Sequence, residues 1–310
     1  MATPAQRYAR PLGRIARPGA QRMTSPVLRA GLWMMGALVS FATMAICGRE
    51  LSADLSTSQI MFWRSAVAFV LIVLLLQVSG WGQLKTGIFR IHAFRAIVHF
   101  GAQFCWFYAI PLIALAELFA IEFTMPIWAA ILAALFLGER MTSVRIFAIA
   151  IGFAGVMVII RPGITEVGTG ATLALVAAIG YAVAVITVRV LAQQDSPLCI
   201  LFYMTLIQLP IGFGLALESW VWPDPQTNGP WIVLVGFTGC SAHYCMASAM
   251  RLAEATVVVT MDFMRLPLIA LVGYFVYNEE LEISVAVGAV LVCTGIYLIV
   301  RDADRREGDV

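Results

Sequence analysis

The chain has 310 residues, of which 61% are hydrophobic and only 12% are charged, whereas a soluble domain has about half apolar and a quarter charged residues. Its mean hydropathy of +0.89 excludes a soluble or disordered class and predicts an integral membrane protein. The net charge of only +2 gives no reason to expect a nucleic-acid partner.

The cysteines predict neither a disulfide framework nor a metal or redox site. All six lie within apolar runs and none has a Cys-x-x-Cys spacing, so we interpret them as packing residues and expect no metal or cofactor. They are Cys47, Cys105, Cys199, Cys240, Cys245 and Cys293.

Apolar runs of membrane-spanning length recur along the whole chain. A bilayer core of about 30 Å needs about 20 apolar residues in a helix, and ten runs approach this length. They lie near 28–48, 58–79, 92–110, 114–137, 144–160, 171–191, 197–217, 231–250, 253–276 and 283–300. We therefore predict an all-α membrane protein with ten transmembrane helices.

Basic residues predict the orientation of these spans. The first 27 residues hold five arginines and no acid, a composition shared by transit peptides and by tails that stay in the cytoplasm. With the N-terminus inside, fifteen basic residues fall on the inner side and only Arg49 and Arg161 on the outer side. This asymmetry favours the cytoplasmic tail, and it predicts a multi-pass protein of the cell inner membrane with both termini cytoplasmic.

The second half of the chain repeats the first. The segment FTMPIWAAILAALFLGER (123–140) is echoed by FMRLPLIALVGYFVYNEE (263–280), and in both a proline precedes a glutamate by 13 residues, at Pro126–Glu139 and Pro267–Glu280. Because each half has an odd number of spans, five, the halves have inverted topology, as in carriers that expose one central site alternately to each side. The predicted division is a tail (1–27), a first repeat (28–161), a linker (162–170), a second repeat (171–301) and a tail (302–310).

Several of these stretches resemble a known family. WRSAVAF in the second span, WFYAIPLIALAELFAIEFTMPIWAAILAALFLGER and its echo are similar to the EamA domains of the drug/metabolite transporter superfamily, over about residues 28–301. The second half departs at Glu279, where the family usually has glycine. The resemblance implies two inverted five-helix EamA repeats around a central cavity for small metabolites. The family includes exporters of amino acids and aromatic compounds and importers of riboflavin or S-adenosylmethionine, and FAIEFTMPIW is most similar to the importers.

The third span carries a polar stripe. Its members His92, Arg95, His99, Gln103 and Trp106 are spaced by 3, 4, 4 and 3 residues, which confines them to about 80° of helix circumference. We expect the first two to lie at the cytoplasmic rim with their polar ends reaching toward the headgroups. The others lie deeper, about 10 Å or more along the helix from His92, and we expect them to line the cavity. The eighth span carries Thr238, Ser241, Tyr244 and Ser248 at comparable spacing, whose hydroxyls either line the cavity or bond within their own helix.

Ionisable residues within spans mark a cavity or a pairing partner, because charge is costly in a bilayer. In the fourth span, Glu117 and Glu122 point 140° apart, and we expect Glu122 to face the cavity. We interpret Glu117 as a charge at its mouth or at the helix end. In the ninth span, Asp262 and Arg265 share a face; either they neutralise each other, or Arg265 holds an anionic part of the substrate while an acid changes protonation.

The candidate substrate-binding residues are His99, Gln103, Trp106, Phe119, Glu122, Phe123, Tyr244, Asp262 and Arg265. Candidates for ion pairing or proton coupling are Arg64, Glu122 and Asp262, with Arg64 as the counter-charge for Glu122 or Glu117. No catalytic residue is predicted.

The sequence favours a secondary transporter of a small polar or amphipathic metabolite. A metabolite importer and an amino-acid or drug exporter remain open, because alternating access runs in either direction. An intramembrane lipid-modifying enzyme is the alternative of another class, and a membrane receptor or assembly factor is a third. No G-x-x-x-x-G-K motif occurs, so no ATP site is expected. The oligomeric state is not indicated.

Overall fold

The computed structural model describes residues 26–137, 142–160, 168–252, 262, 265–280 and 282–308. Every regular element within these ranges is helical, with 3₁₀ turns at Trp81–Leu84 and Leu217–Ser219. The α-helices are α1 (Pro26–Leu51), α2 (Thr57–Ser79), α3 (Phe89–Ala109), α4 (Leu115–Glu122), α5 (Met125–Leu137), α6 (Ser143–Ile160), α7 (Thr169–Ala192), α8 (Pro197–Ala216), α9 (Gly229–Leu252), α10 (Arg265–Tyr277) and α11 (Ile283–Gly308).

The helices follow the predicted spans with two differences. The fourth predicted span is broken into α4 and α5, and α11 continues to Gly308 through residues predicted as a tail. The charged residues at the end of α11 are tolerated in helices, so loss of hydrophobicity does not end the helix there. Most of the predicted N-terminal tail, most of the linker and residues 253–261 of the ninth span lie outside the described residues.

The outer surface of the bundle suits a bilayer. Within the described ranges, five helices are long and apolar enough to cross a membrane: Arg29–Leu51, Thr57–Ser79, Thr169–Ala192, Pro197–Ser219 and Gly229–Leu252. Large apolar side chains point outward, among them Val78 (90% exposed) and Phe275 (74% exposed). Because water would penalise this much exposed apolar surface, the protein is a multi-pass membrane protein.

Serine caps start two helices at equivalent places in the two halves. The side chain of Ser56 accepts a hydrogen bond from the backbone N–H of Gln59 at the start of α2, and Ser196 accepts one from Cys199 at the start of α8. Such caps satisfy N–H groups that have no partner within the helix. Pro197 at the first position of α8 needs no hydrogen bond there.

Helix packing reproduces the inverted repeat. The first span α1 packs on α9, and its counterpart α7 packs on α3, the counterpart of α9. Exchange of the halves therefore converts one contact into the other. The pairs α2–α8 and α6–α11 each join equivalent helices across the pseudo-two-fold axis, which places the centre of the bundle between the two repeats.

Glycines bring the fifth and tenth spans together. A Cβ atom on Gly155 of α6 would lie 2.7 Å from the backbone oxygen of Gly288 in α11, and a Cβ on Gly288 would lie 2.7 Å from the backbone oxygen of Gly155. Small residues let helix backbones approach closely in membranes, so this crossing requires glycine on both helices.

Candidate functional site

A polar cavity lies at the centre of the bundle between the repeats. Asp262 and residues of α1, α3, α4, α5, α7, α9 and α10 form its walls. The cavity has a volume of about 70 Å³. Its polar and aromatic walls include Arg95, His99, Gln103, Trp106, Glu122, Tyr181, His243, Asp262 and Arg265. The cavity is therefore narrow, and a drug-sized solute needs the helices to move apart.

Arg265 joins two carboxylates from different parts of the chain. Its Nη2 donates to Oε1 of Glu122 at 3.0 Å and to Oδ2 of Asp262 at 2.8 Å. The three side chains are between 4% and 11% exposed. Both sequence hypotheses for Arg265 remain open, but in this conformation the guanidinium is bonded to protein carboxylates.

Aromatic rings surround the same guanidinium. Its central carbon lies 4.7 Å from the ring centroid of Phe41, 5.0 Å from that of Phe119 and 5.2 Å from that of Phe123. These are cation–π distances. The predicted binding residues Phe119 and Phe123 are therefore placed beside Arg265, where they support it, and neither is among the residues that line the described cavity.

A break in the fourth span positions Glu122. Helix α4 ends at this residue and α5 begins at Met125. The Thr124 hydroxyl donates to the backbone oxygen of Ile121 at 2.7 Å, so it satisfies a helix-end carbonyl. A carboxylate at a helix C-terminus faces the negative end of the helix dipole, and Trp106 Nε1 offsets this by donating to Glu122 Oε2 at 2.7 Å.

Gln208 determines which nitrogen of His99 carries the proton. Its Nε2 donates to the backbone oxygen of Ala96 at 3.0 Å, and a carbonyl oxygen can only accept, so this contact orients the amide. The same Nε2 lies 3.1 Å from Nδ1 of His99. Nδ1 must therefore accept, which leaves the proton on Nε2, a buried atom with no hydrogen-bond partner among the described residues.

Histidine and tyrosine rings complete this part of the wall. The ring of His99 lies 4.9 Å from that of His243 and 5.6 Å from that of Tyr181. The Oε1 of Gln103 is buried and, among the described residues, has no partner. Donors and an acceptor thus face the cavity without a partner in the described part of the chain, as in a site that binds a polar ligand. His243, Tyr181 and Gln208 were not predicted as site residues, although a deep polar residue in an apolar span was the available signal.

His92 and Arg95 do not reach out toward the headgroups as expected. They are only 2% and 5% exposed, because α7 and α8 pack over α3 where headgroups were expected. His92 Nε2 lies 2.8 Å from Oδ2 of Asp195, which also accepts from the Thr86 hydroxyl at 2.8 Å. Ligand atoms of His92, Asp195 and Cys199 lie within 4.8 Å of one another, but the direct contact is too short to admit a metal ion between the first two.

Tyr244 lies outside the cavity. Its ring packs at 5.7 Å against that of Trp33, and it lines a groove on the outside of the bundle. Neighbouring His243 faces the cavity instead, because one residue rotates the direction by 100°. The Ser241 hydroxyl bonds to that of Ser40 at 2.7 Å, and Thr238 bonds within its own helix. The polar stripe of the eighth span therefore faces α1 and its own backbone.

Arg64 does not provide the expected counter-charge. It is 1% exposed, and within the described residues it forms no hydrogen bond or ion pair with Glu122 or Glu117. The guanidinium packs on α9, where a Cβ on Gly239 would lie 2.8 Å from its Nε. Arg64 is thus a buried cation behind the cavity wall.

Contacts between the repeats close both ends of the bundle. At one end, Arg49 Nη1 lies 3.1 Å from Glu279 Oε1, and Glu279 Oε2 accepts from the backbone N–H of Leu115 at 2.9 Å. The contact between His92 and Asp195 lies at the opposite end, because α2 crosses the bundle between Arg49 and His92. Each contact joins a residue of the first half to one of the second.

Comparisons with known proteins agree with this architecture. The riboflavin transporter of Brucella anthropi is 28% identical over 251 residues, which cover 79% of this chain and 88% of that protein. The S-adenosylmethionine uptake transporter of Rickettsia prowazekii is 22% identical over 268 residues (86% and 91%). The pseudopaline exporter CntI of Pseudomonas aeruginosa is 24% identical over 273 residues (87% and 95%).

A solved crystal structure has the same fold. It superimposes with a TM-score of 0.65 at 17% identity, over 90% of this chain and 98% of the other. The profile of the EamA-like transporter family matches residues 28–161 and 168–301, one match in each half. The two matches cover most of the sequence and coincide with the two pseudo-symmetric halves, so this chain belongs to the EamA-like transporter family.

Proposed function

We propose that this protein is a secondary transporter that carries a small polar or amphipathic metabolite across the membrane by alternating access. One observation carries the proposal: a cavity with polar groups in its walls lies between two inverted repeats, and bonds between the repeats lie at both ends of the bundle. Movement of one repeat against the other can break one set of bonds while the other set is kept.

The two end contacts suit such a cycle because each is formed by polar side chains, whose hydrogen bonds and ion pairs can break and form again. The pair formed by Arg49 and Glu279 has side chains 20% and 12% exposed, so both are partly solvated at this end of the bundle. Water that enters when the repeats separate can solvate both charges, which offsets part of the cost of breaking the pair. The cavity can then widen toward that end to admit a solute larger than the present space.

Riboflavin and S-adenosylmethionine are the first substrates to test. Support comes from the names of the importers among the relatives, and from walls that combine aromatic rings with hydrogen-bonding groups, which suit a flat polar molecule. The similarity to the pseudopaline exporter supports transport in the opposite direction as the alternative, which is export of an amino acid or a drug.

Proton coupling is proposed for the two carboxylates that share Arg265. One guanidinium can neutralise one carboxylate, so when both are ionised the group carries an excess negative charge in a buried site, which is costly. A proton on Glu122 or Asp262 removes this excess. We expect a protonophore to reduce uptake by the wild type, and Glu122→Gln or Asp262→Asn to abolish that sensitivity.

The proposed location is the cell inner membrane, with both termini cytoplasmic, on the strength of the arginine asymmetry. A fluorescent protein fused after residue 310 should fluoresce, whereas alkaline phosphatase at the same site should be inactive. Active phosphatase at that site would overturn the orientation.

Transport and catalysis make different predictions for the same solute. Right-side-out and inside-out vesicles containing the protein should accumulate or release labelled riboflavin or S-adenosylmethionine, and chromatography should recover it unchanged. A metabolite comparison between cells lacking and overproducing the protein extends the test to other solutes. Chemical conversion without movement would support an intramembrane enzyme instead. If neither comparison detects movement of any solute, the transport proposal fails.

A further inference from the structure

Arg95 is a buried cation without a partner in the described part of the chain. Its exposure is 5%, and its Nε is fully buried with no hydrogen-bond partner there. Within the described residues Arg95 forms no hydrogen bond and no ion pair. This contrasts with Arg265, another arginine in the cavity wall, which bonds to two carboxylates.

The position of Arg95 points it at the cavity. It is one of the lining residues, and His99 stands one helical turn further along the same face of α3. The Nε2–H of His99 is also without a partner among the described residues. Two donors that have no hydrogen-bond partner among the described residues therefore lie one helical turn apart on one wall.

An unpaired arginine in this place indicates that a negatively charged partner binds beside it. A guanidinium stays charged at physiological pH, and burial of a charge is costly unless it is paired. Arg64 is a second buried cation nearby, within electrostatic range of His99 as Arg95 is. The two positive charges repel each other, and an anion between the helices would offset the cost for both.

The other end of the cavity has the opposite polarity. Trp106 bonds to Glu122, and eleven residues of α3 separate Arg95 from Trp106, which is about 16 Å of helix rise. Glu122 and Asp262 together outnumber Arg265 by one charge. The arrangement fits an extended molecule with its anionic group at Arg95.

We propose that Arg95, with the Nε2–H of His99 beside it, forms an anion subsite that binds the carboxylate or phosphate of an extended substrate. The inference rests on the proposed transport function and narrows the substrate class. It favours a carboxylate-bearing solute such as S-adenosylmethionine over the uncharged riboflavin. Arginine suits this role because its planar fork can donate two parallel hydrogen bonds to such a group.

The test measures ligand-induced thermal stabilisation of the purified full-length protein in lipid nanodiscs. The probes are inorganic phosphate, acetate, riboflavin, riboflavin 5′-phosphate and S-adenosylmethionine, at constant ionic strength set with chloride. Acetate and phosphate distinguish the two anion types, and the riboflavin pair differs only by the phosphate. The variants are Arg95→Gln, Arg95→Lys and Arg90→Gln, the last a matched control because Arg90 is an exposed arginine on the same helix.

We expect the wild type to bind at least one anionic probe about tenfold or more tightly than uncharged riboflavin. Arg95→Gln should lose about 10- to 100-fold in affinity for that anion, the range of a charge-assisted hydrogen bond. Arg95→Lys should keep part of it and Arg90→Gln all of it. In chloride alone, without the probes, Arg95→Gln should melt no lower than the wild type, because it removes an unpaired buried charge.

Three results overturn the anion subsite: no anionic probe stabilises the wild type, Arg95→Gln keeps the anion preference, or Arg95→Gln melts lower and is not restored by Arg95→Lys. Vesicle uptake separates this from failure of the transport proposal. If vesicles move riboflavin without any dependence on Arg95, transport stands and the subsite falls. If anions bind at Arg95 but no solute moves in vesicles or in the metabolite comparison, the subsite stands and transport falls.

Discussion

Replacement of Arg265 by glutamine tests whether the buried charge group holds the repeats together. The variant keeps a polar side chain of similar length but removes the cation shared by Glu122 and Asp262. Both carboxylates then stay buried, at about 11% and 9% side-chain exposure, without a counter-charge. Glu122→Gln is the matched perturbation, because it leaves one guanidinium paired with one carboxylate.

The structure predicts very different costs for the two changes. Loss of one partner from a buried ion pair costs about 3–5 kcal/mol, and Arg265→Gln also loses the three cation–π contacts around the guanidinium. Glu122→Gln loses a single charge-assisted bond at 3.0 Å, while its amide oxygen can still accept from Trp106. We expect a loss below about 2 kcal/mol there, so the variants should differ by roughly 2 kcal/mol or more.

Reversible unfolding in mixed detergent micelles, followed by tryptophan fluorescence, measures the free energy of unfolding of both variants. Arg265→Lys provides a further control, because it keeps the charge and loses only the fork, and it should fall between Arg265→Gln and the wild type. Equal stability of Arg265→Gln and Glu122→Gln would refute the reasoning, since it would mean that the carboxylates do not depend on the cation.

Three further changes test other parts of the structure. Gly155→Ala should cost about 1–3 kcal/mol in the same assay, because its Cβ would lie 2.7 Å from a backbone oxygen of α11, whereas Gly214→Ala, with nothing within 4 Å, should cost nothing measurable. Gln208→Leu should leave the protein folded but lower solute affinity several-fold in vesicle uptake, because His99 can then carry its proton on either ring nitrogen. Unchanged affinity would contradict that role. Glu279→Gln should lower the free energy of unfolding by about 1–3 kcal/mol, because it removes the charge from a mostly buried, hydrogen-bonded group, and it should alter the uptake rate; an unaltered rate would count against this contact as a gate.

Much of the fold was predictable because its signals are local and repeated. Ten apolar runs, broken by charge and turn residues, locate the helices, and the matched Pro126–Glu139 and Pro267–Glu280 spacings identify the repeat. The break after Glu122 was not predicted. Pro126 disfavours a helix that runs through it, but whether the helix bends or ends there depends on partners such as Trp106 and Arg265, which come from other helices.

From the sequence, the site could be predicted only as far as the position of a residue along its helix and the helix face on which it lies. The stripe of α3 placed His99 and Gln103 on one face, and both line the described cavity. The same stripe misplaced Arg95, because sequence position indicates how far a residue lies along its helix but not which helix covers it. Tyr244 shows the converse error, since the spacing of polar residues along a helix does not tell which side of α9 faces the centre.

The sequence by itself determined that the chain is a membrane protein and that its spans form two inverted halves. Those properties follow from hydropathy, charge asymmetry and repetition along one dimension. Only the tertiary structure decided which charges are paired. Among the described residues, it bonds Arg265 to carboxylates from two spans and leaves Arg95 without a partner, because pairing depends on distances between helices that are remote in sequence.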